Sequence, residues 1–163
     1  FETGLVQDAA LAENDSQMHD FWRLRETIAE AERAQGKAVK HDISIPVSKM
    51  PAFMAQATQA VEAEFDNTLV IAFGHVGDGN FHLIILLRPD EPDDLQAANA
   101  LAETLNLMAI ELGGTMTGEH GVGIGKKKYM QAEHGDAYAL MGVIKKAVDP
   151  QNIMNPGKMV NVN

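Results

Sequence analysis

Residues Thr68 to Leu87 read TLVIAFGHVGDGNFHLIILL, and the fold turns on this stretch. Thr68 to Phe73 is a short, nearly continuous apolar run, the pattern of a buried strand. Phe81 to Leu87 is a second β-rich run, and the glycine-rich segment between them joins the two as a hairpin-like pair. Working outward, Pro89 to Asp94 is a polar connector, and Leu95 to Leu112 has helical periodicity ended by Gly113 and Gly114. Thr115 to Thr117 reads as a last short strand. On the other side, Ser48 is a plausible N-cap for a helix through Phe65, with Pro51 tolerated in its first turn. Val39 to Val47 reads as a strand that carries Val39, Ile43 and Ile45 largely on one face. Phe21, Leu24, Ile28 and Ala31 recur at helical spacing within Gln17 to Gln35, and Gly36 supplies the stop. A helix from about Gly135 to Val148, ended by Asp149 and Pro150, closes the chain. The order strand, helix, strand, strand, helix, strand predicts a ferredoxin-like α+β unit. Its antiparallel sheet carries helices on one face and is followed by a C-terminal helical segment.

The 163 residues are 45% hydrophobic, enough for one domain, 1–163, with a substantial core. Thirteen Lys+Arg stand against 23 Asp+Glu, a formal net charge of −10. Such a surface repels phosphate backbones and anionic lipid, which argues against nucleic-acid or membrane-surface binding as the main function. An anionic substrate would need local cations. The chain has no cysteine, hence no disulfide framework and no thiolate metal ligand. No apolar run approaches the ~20 residues of a membrane-spanning helix, and no secretory signal is visible at Phe1. The expected setting is the bacterial cytoplasm, and a homodimer is compatible with the sequence. The chain starts without an initiator Met, so the expectation is one domain of a longer enzyme.

Gly74 to His82 (GHVGDGNFH) and Gly118 to Gly121 (GEHG) hold three of the six histidines. His75 and His82 are seven positions apart, which does not fit two ligands on one helix. At the two sides of a tight turn, however, they can converge on one point. Gly77 and Gly79 permit the positive φ of such a turn, and Asp78 and Asn80 can satisfy its amides. Glu119 would supply a third ligand, and two imidazoles with one carboxylate leave coordination positions open for a substrate. His120, beside that carboxylate, is placed to move a proton. The alternative is a plain hairpin turn with ordinary loop histidines. Against it stands the Glu119-His120 pair, framed by Gly118, Gly121 and Gly123, for which packing offers little reason. The glycines match neither a Walker A nor a dinucleotide fingerprint. Lys126, Lys127 and Lys128 read as a solvated cluster, one of which could neutralise a nearby anion. His19, His41 and His134 read as surface or helix residues, and the methionines as core filler.

These motifs, together with Thr117 to Gly123 (TGEHGVG) and Asp149 to Lys158 (DPQNIMNPGK), resemble the C-terminal domain of FAD-linked oxidases. More narrowly they resemble the D-2-hydroxy acid dehydrogenases, which include D-lactate dehydrogenase, D-2-hydroxyglutarate dehydrogenase and the glycolate oxidase flavin subunit. Phe21 to Glu26 (FWRLRE) and Lys40 to Val47 (KHDISIPV) extend the resemblance over nearly the whole chain. It implies a divalent metal, usually zinc, on His75, His82 and Glu119, binding the carboxylate and hydroxyl of a small 2-hydroxy acid. It implies that His120 takes the hydroxyl proton while hydride leaves for FAD, which passes electrons to a downstream acceptor. Arg25 would grip substrate carboxylate, and Lys40 would neutralise a distal anionic group. Asn80, Asn155 and Lys158 would lie on the cofactor side. FAD itself would sit mainly on a separate flavin-binding domain that precedes this region in the family.

Taken alone, Arg25 reads equally as a surface ion-pairing residue of a Glu-rich helix, and Lys40 as a solvent-facing strand residue. Ala29 and Ile84 replace polar residues of the hydroxyglutarate enzymes and favour a lactate-like substrate. Lys40 favours a dicarboxylate. A metal-assisted hydrolase and a non-catalytic ferredoxin-like binding module are the competing functions.

Overall fold

The computed structural model describes residues 3–65, 70–87, 91 and 93–161. They form two compact units, residues 1–36 and residues 37–163.

The first unit holds two helices, α1 (Asp15–Glu26) and α2 (Ile28–Gln35). The Asn14 side chain caps α1 by accepting from the Gln17 amide at 3.0 Å. The single helix expected over Gln17 to Gln35 is therefore broken, and Thr27 marks the break. Its hydroxyl donates to the Arg23 carbonyl at 2.9 Å, a bond that competes with helix continuation.

The second unit begins with β1 (Ala38–Ser44), followed by a 3-10 turn at Val47–Lys49 and by α3 (Met50–Glu64). Ser48 lies inside that turn rather than capping α3, whose N-cap is Lys49, with Pro51 in the first turn as expected. Next come β2 (Val70–His75), β3 (Asn80–Leu86) and α4 (Asp94–Glu111). Thr68 and Leu69, placed in the predicted strand, lie outside the described residues, as does most of the predicted connector.

The strands pair antiparallel in the order β1-β3-β2. Thr115 and Ser44 exchange backbone hydrogen bonds of 2.7 and 3.0 Å on the free side of β1. The predicted fourth strand is thereby reduced to one bridge, in the place a ferredoxin-like sheet gives it. Ile43, Phe81, Leu83 and Ile85 project from one face into a core with Phe53, Ala57 and Val61 of α3 and Ala98, Leu101, Leu105 and Ala109 of α4. Residues opposite one another in an antiparallel pair share a face. The register Asp42↔His82↔Phe73 and Ser44↔Asn80↔His75 therefore puts all six on the face away from α3 and α4.

The hairpin turn is a 3-10 turn at Val76–Asp78 that ends on Gly79 at φ 68°. Gly77 is not among the positive-φ residues, so Gly79 alone fills the conformational role expected of both. A Cβ at Gly79 would also overlap the Ile45 carbonyl, which explains a residue without a side chain there.

After Thr115 the chain packs a small second core of Met116, Tyr129 and Met130, to which Tyr138 and Met141 contribute. It contains a short helix the sequence did not announce, α5 (Met130–His134), before α6 (Ala137–Val148). The expected solvated lysine cluster is instead divided. Lys126 donates to the carbonyls of Asp42 and Met116, and Lys127 to that of Gly157, while Lys128 pairs with Glu103.

His41 also departs from its surface assignment. Paired with Leu83 on the core face of β1, it is 4% exposed, and its Nε2 has no partner among the described residues. Burial, assisted by Lys126, pushes its pKa down to about 4. In the unfolded chain the imidazole returns to its ordinary pKa of roughly 6.5. Stability from keeping it neutral is therefore complete above that value and is lost as pH falls toward the folded value. By pH 5 the loss is on the order of 2 kcal/mol. Urea midpoints measured at pH 7.5 and pH 5 should fall further for the native sequence than for His41→Leu, and equal falls would remove this account.

Candidate active site

The site is assembled on the sheet face opposite the helices. β3 presents His82, and β1 presents Asp42 directly across from it. The segment after Thr115 then folds over both. Glu133 of α5 holds its start, accepting from the Thr115 hydroxyl at 2.7 Å and the Met116 amide at 3.2 Å. A turn closed by His120 N–H donating to Thr117 O (3.0 Å) brings Glu119 and His120 forward. Both of their amides donate to Asp42 Oδ2, at 2.9 and 3.0 Å. Gly118 permits this approach, since a Cβ there would overlap the Asp42 carboxylate. Burial pushes the Lys126 ammonium pKa down, against the opposing pull of Asp42 and Glu133.

The four side chains lie close together. His82 Nε2 stands 3.5 Å and His120 Nε2 3.7 Å from Glu119 Oε1. His82 Nδ1 stands 3.7 Å from Asp42 Oδ1, and His120 Nδ1 3.5 Å from Asp42 Oδ2. The two imidazoles stack at 5.4 Å between centroids, and Phe73 tilts against His82 at the same distance. These separations are long for hydrogen bonds. On the Nε2 side, the separations of 3.5 and 3.7 Å from Glu119 Oε1 are near the ~3.3 Å between neighbouring ligands placed 2.0–2.1 Å from a shared tetrahedral ion. The donor set and its spacing thus fit a divalent metal. Asp42, His82 and His120 also offer ligand atoms within 4.8 Å of one another.

Of the sequence-predicted residues, the fold brings together His82, Glu119 and His120. His75 ends β2 on the same face, opposite Asn80, and is exposed. Asn80 is buried, and its amide serves Asp42 Oδ1 (2.8 Å) and Ser44 Oγ (3.2 Å) rather than the turn amides. Lys40 is exposed on β1, two residues before Asp42 and opposite Ile84. Arg25 lies in the last turn of α1, in the first unit. Asn155 and Lys158 line a cleft of about 370 Å³ with Met141, Ile144, Val148 and Met154. Asp42 is the residue that sequence reading missed. Its one signal was an acid inside a strand flanked by core positions.

Residues 1–159 match the family described as FAD linked oxidases, C-terminal domain. A D-2-hydroxyglutarate dehydrogenase of Xanthomonas citri pv. viticola is 36% identical over 162 residues, covering 97% of this chain and 34% of the relative. A probable mitochondrial D-lactate dehydrogenase of Danio rerio is 38% identical over 159 residues, covering 95% and 32%. The mitochondrial D-lactate dehydrogenase (cytochrome) 1 of Saccharomyces cerevisiae is 35% identical over 157 residues, covering 91% and 26%. The chain therefore spans between about a quarter and about a third of the length of these relatives. No described helix is long and apolar enough to cross a membrane. A match that runs through both histidine motifs, on an antiparallel sheet that joins them, places this chain in the family of FAD-linked oxidase C-terminal domains.

Proposed function

We propose that residues 1–163 are the substrate- and metal-binding domain of a flavin-dependent dehydrogenase that oxidises a D-2-hydroxy acid to the 2-keto acid. The observation that carries this reading is the convergence of His82, Glu119 and His120, from two separate motifs, on one point of the sheet face. The names of the relatives support the same reaction class. His82 and Glu119, with His75 as the third residue, would hold a divalent ion, zinc by preference. That ion supplies Lewis acidity, which lowers the pKa of a substrate hydroxyl. Flavin supplies the hydride acceptor and is held mainly by a flavin-binding domain of the longer protein. Asn80 keeps a buried Oδ1 without a partner among the described residues, and Asn155 and Lys158 line their cleft. These three are this chain's candidates for the cofactor side.

His120 is the general base. Its side chain is 64% exposed, which leaves it open to substrate, and Glu119 shares its approach. It takes the hydroxyl proton as hydride departs from the same carbon, so no alkoxide is left uncompensated. Arg25 and Lys40 supply the positive charge that an anionic substrate requires on a chain of net charge −10.

In the full-length protein that contains this chain, His82→Ala should remove bound divalent metal, as read by elemental analysis. His120→Asn should retain the metal and lower kcat roughly 10²- to 10⁴-fold. Undiminished turnover in His120→Asn would strip that residue of the proton-transfer role. If no D-2-hydroxy acid reduces the flavin of the metal-loaded native protein, the dehydrogenase reading fails.

A further inference from the structure

We infer that Asp42 is a positioning residue: it faces the Nδ1 side of both His82 and His120, so each ring turns an unprotonated Nε2 toward Glu119. The catalytic consequence rests on the dehydrogenase reading above. The positioning itself does not.

Asp42 is 5% exposed, and a buried carboxylate is costly unless it is hydrogen-bonded. Three N–H groups meet it: Asn80 Nδ2 on Oδ1, and the amides of Glu119 and His120 on Oδ2. A carboxylate offers about four acceptor sites, so three are already taken. It also stands within ligand distance of both histidines. Clamping the loop would require only Oδ2. Oδ1 is nonetheless turned toward His82 Nδ1, at 3.7 Å, while Oδ2 lies 3.5 Å from His120 Nδ1. One anion thus backs both rings.

A neutral imidazole carries one N–H and one lone pair, and the stronger neighbouring anion decides which nitrogen keeps the proton. Glu119 stands at comparable distances on the Nε2 side and competes. Its side chain is 53% exposed against 5% for Asp42, so water screens it far more. Asp42 therefore prevails, and both rings hold their proton at Nδ1. The lone pairs at Nε2 are then available, one to bind a cation and one to accept a proton. Gly118 belongs to the same device, because a methyl group there would overlap the Asp42 carboxylate where it now stands.

The test uses the full-length protein, labelled with ¹⁵N-histidine, stripped of metal and held at pH 8 without substrate. Single His82→Gln and His120→Gln variants assign the two rings. The native protein should show both as the Nδ1–H tautomer, and Asp42→Asn should shift both toward Nε2–H. On restoring the metal, Asp42→Asn should lose about 10- to 100-fold in metal affinity or kcat, the usual cost of a lost orienting partner. Native rings found as Nε2–H would overturn the inference, even if Asp42→Asn fails to fold. A folded Asp42→Asn with unchanged tautomers would reduce Asp42 to a loop clamp and would overturn it too. The tautomers are read without flavin or turnover. A native protein inactive on D-2-hydroxy acids would therefore sink the proposed reaction and leave this result standing.

Discussion

The Asp42 carboxylate accepting the amides of Glu119 and His120 is the interaction on which the site depends. It joins a strand to a loop distant in sequence, and it does so with a buried charge. Such charge-assisted hydrogen bonds are stronger than neutral ones, and they strengthen further away from water. Without this link, Glu119 and His120 would lose the only hydrogen bonds, among the described residues, that their own amides make to the sheet. Lys126 ties the far end of the same loop to the Asp42 backbone, so the segment is fastened at both ends to one residue of β1.

The sheet supplies the other half of the geometry. Antiparallel register fixes which side chains stand opposite one another, and a slip of one residue would send His82 into the helix-covered core. The register is secured by the apolar face, where Ile43, Phe81, Leu83 and Ile85 must all meet α3 and α4. The chemistry on one face is thus positioned by packing on the other. His41, between Lys40 and Asp42, shows the cost of that alternation. It is a titratable group that the strand's alternation places on the core face, between two residues on the other face.

Net negative charge is no obstacle to an anionic substrate if the local field is reshaped. Asp42, the buried one of the two carboxylates at the site, is already neutralised in part by three donated hydrogen bonds. An acidic exterior and a locally compensated site are compatible, and the fold separates them by burying Asp42, one of the two carboxylates that face both rings.

The sequence by itself determined the order of the three strands and of the two helices that pack on them, the hairpin, its glycine turn, and His75, His82, Glu119 and His120 as candidate site residues. These are local signals, because periodicity, turn glycines and motif spacing are written within a few residues of one another. Tertiary structure decided everything that depends on who stands across from whom. Asp42 gained its importance from a strand pairing and a loop more than seventy residues away in the chain. Lys126 left the solvated cluster for two backbone carbonyls, and Asn80 left its turn for the same aspartate. The helix expected over Gln17 to Gln35 breaks at Thr27, whose hydroxyl bonds the Arg23 carbonyl, a local contact that apolar spacing does not register. Side-chain periodicity tells which face a residue takes, but the partner on that face is set by register and loop closure, and these exist only once the chain has folded.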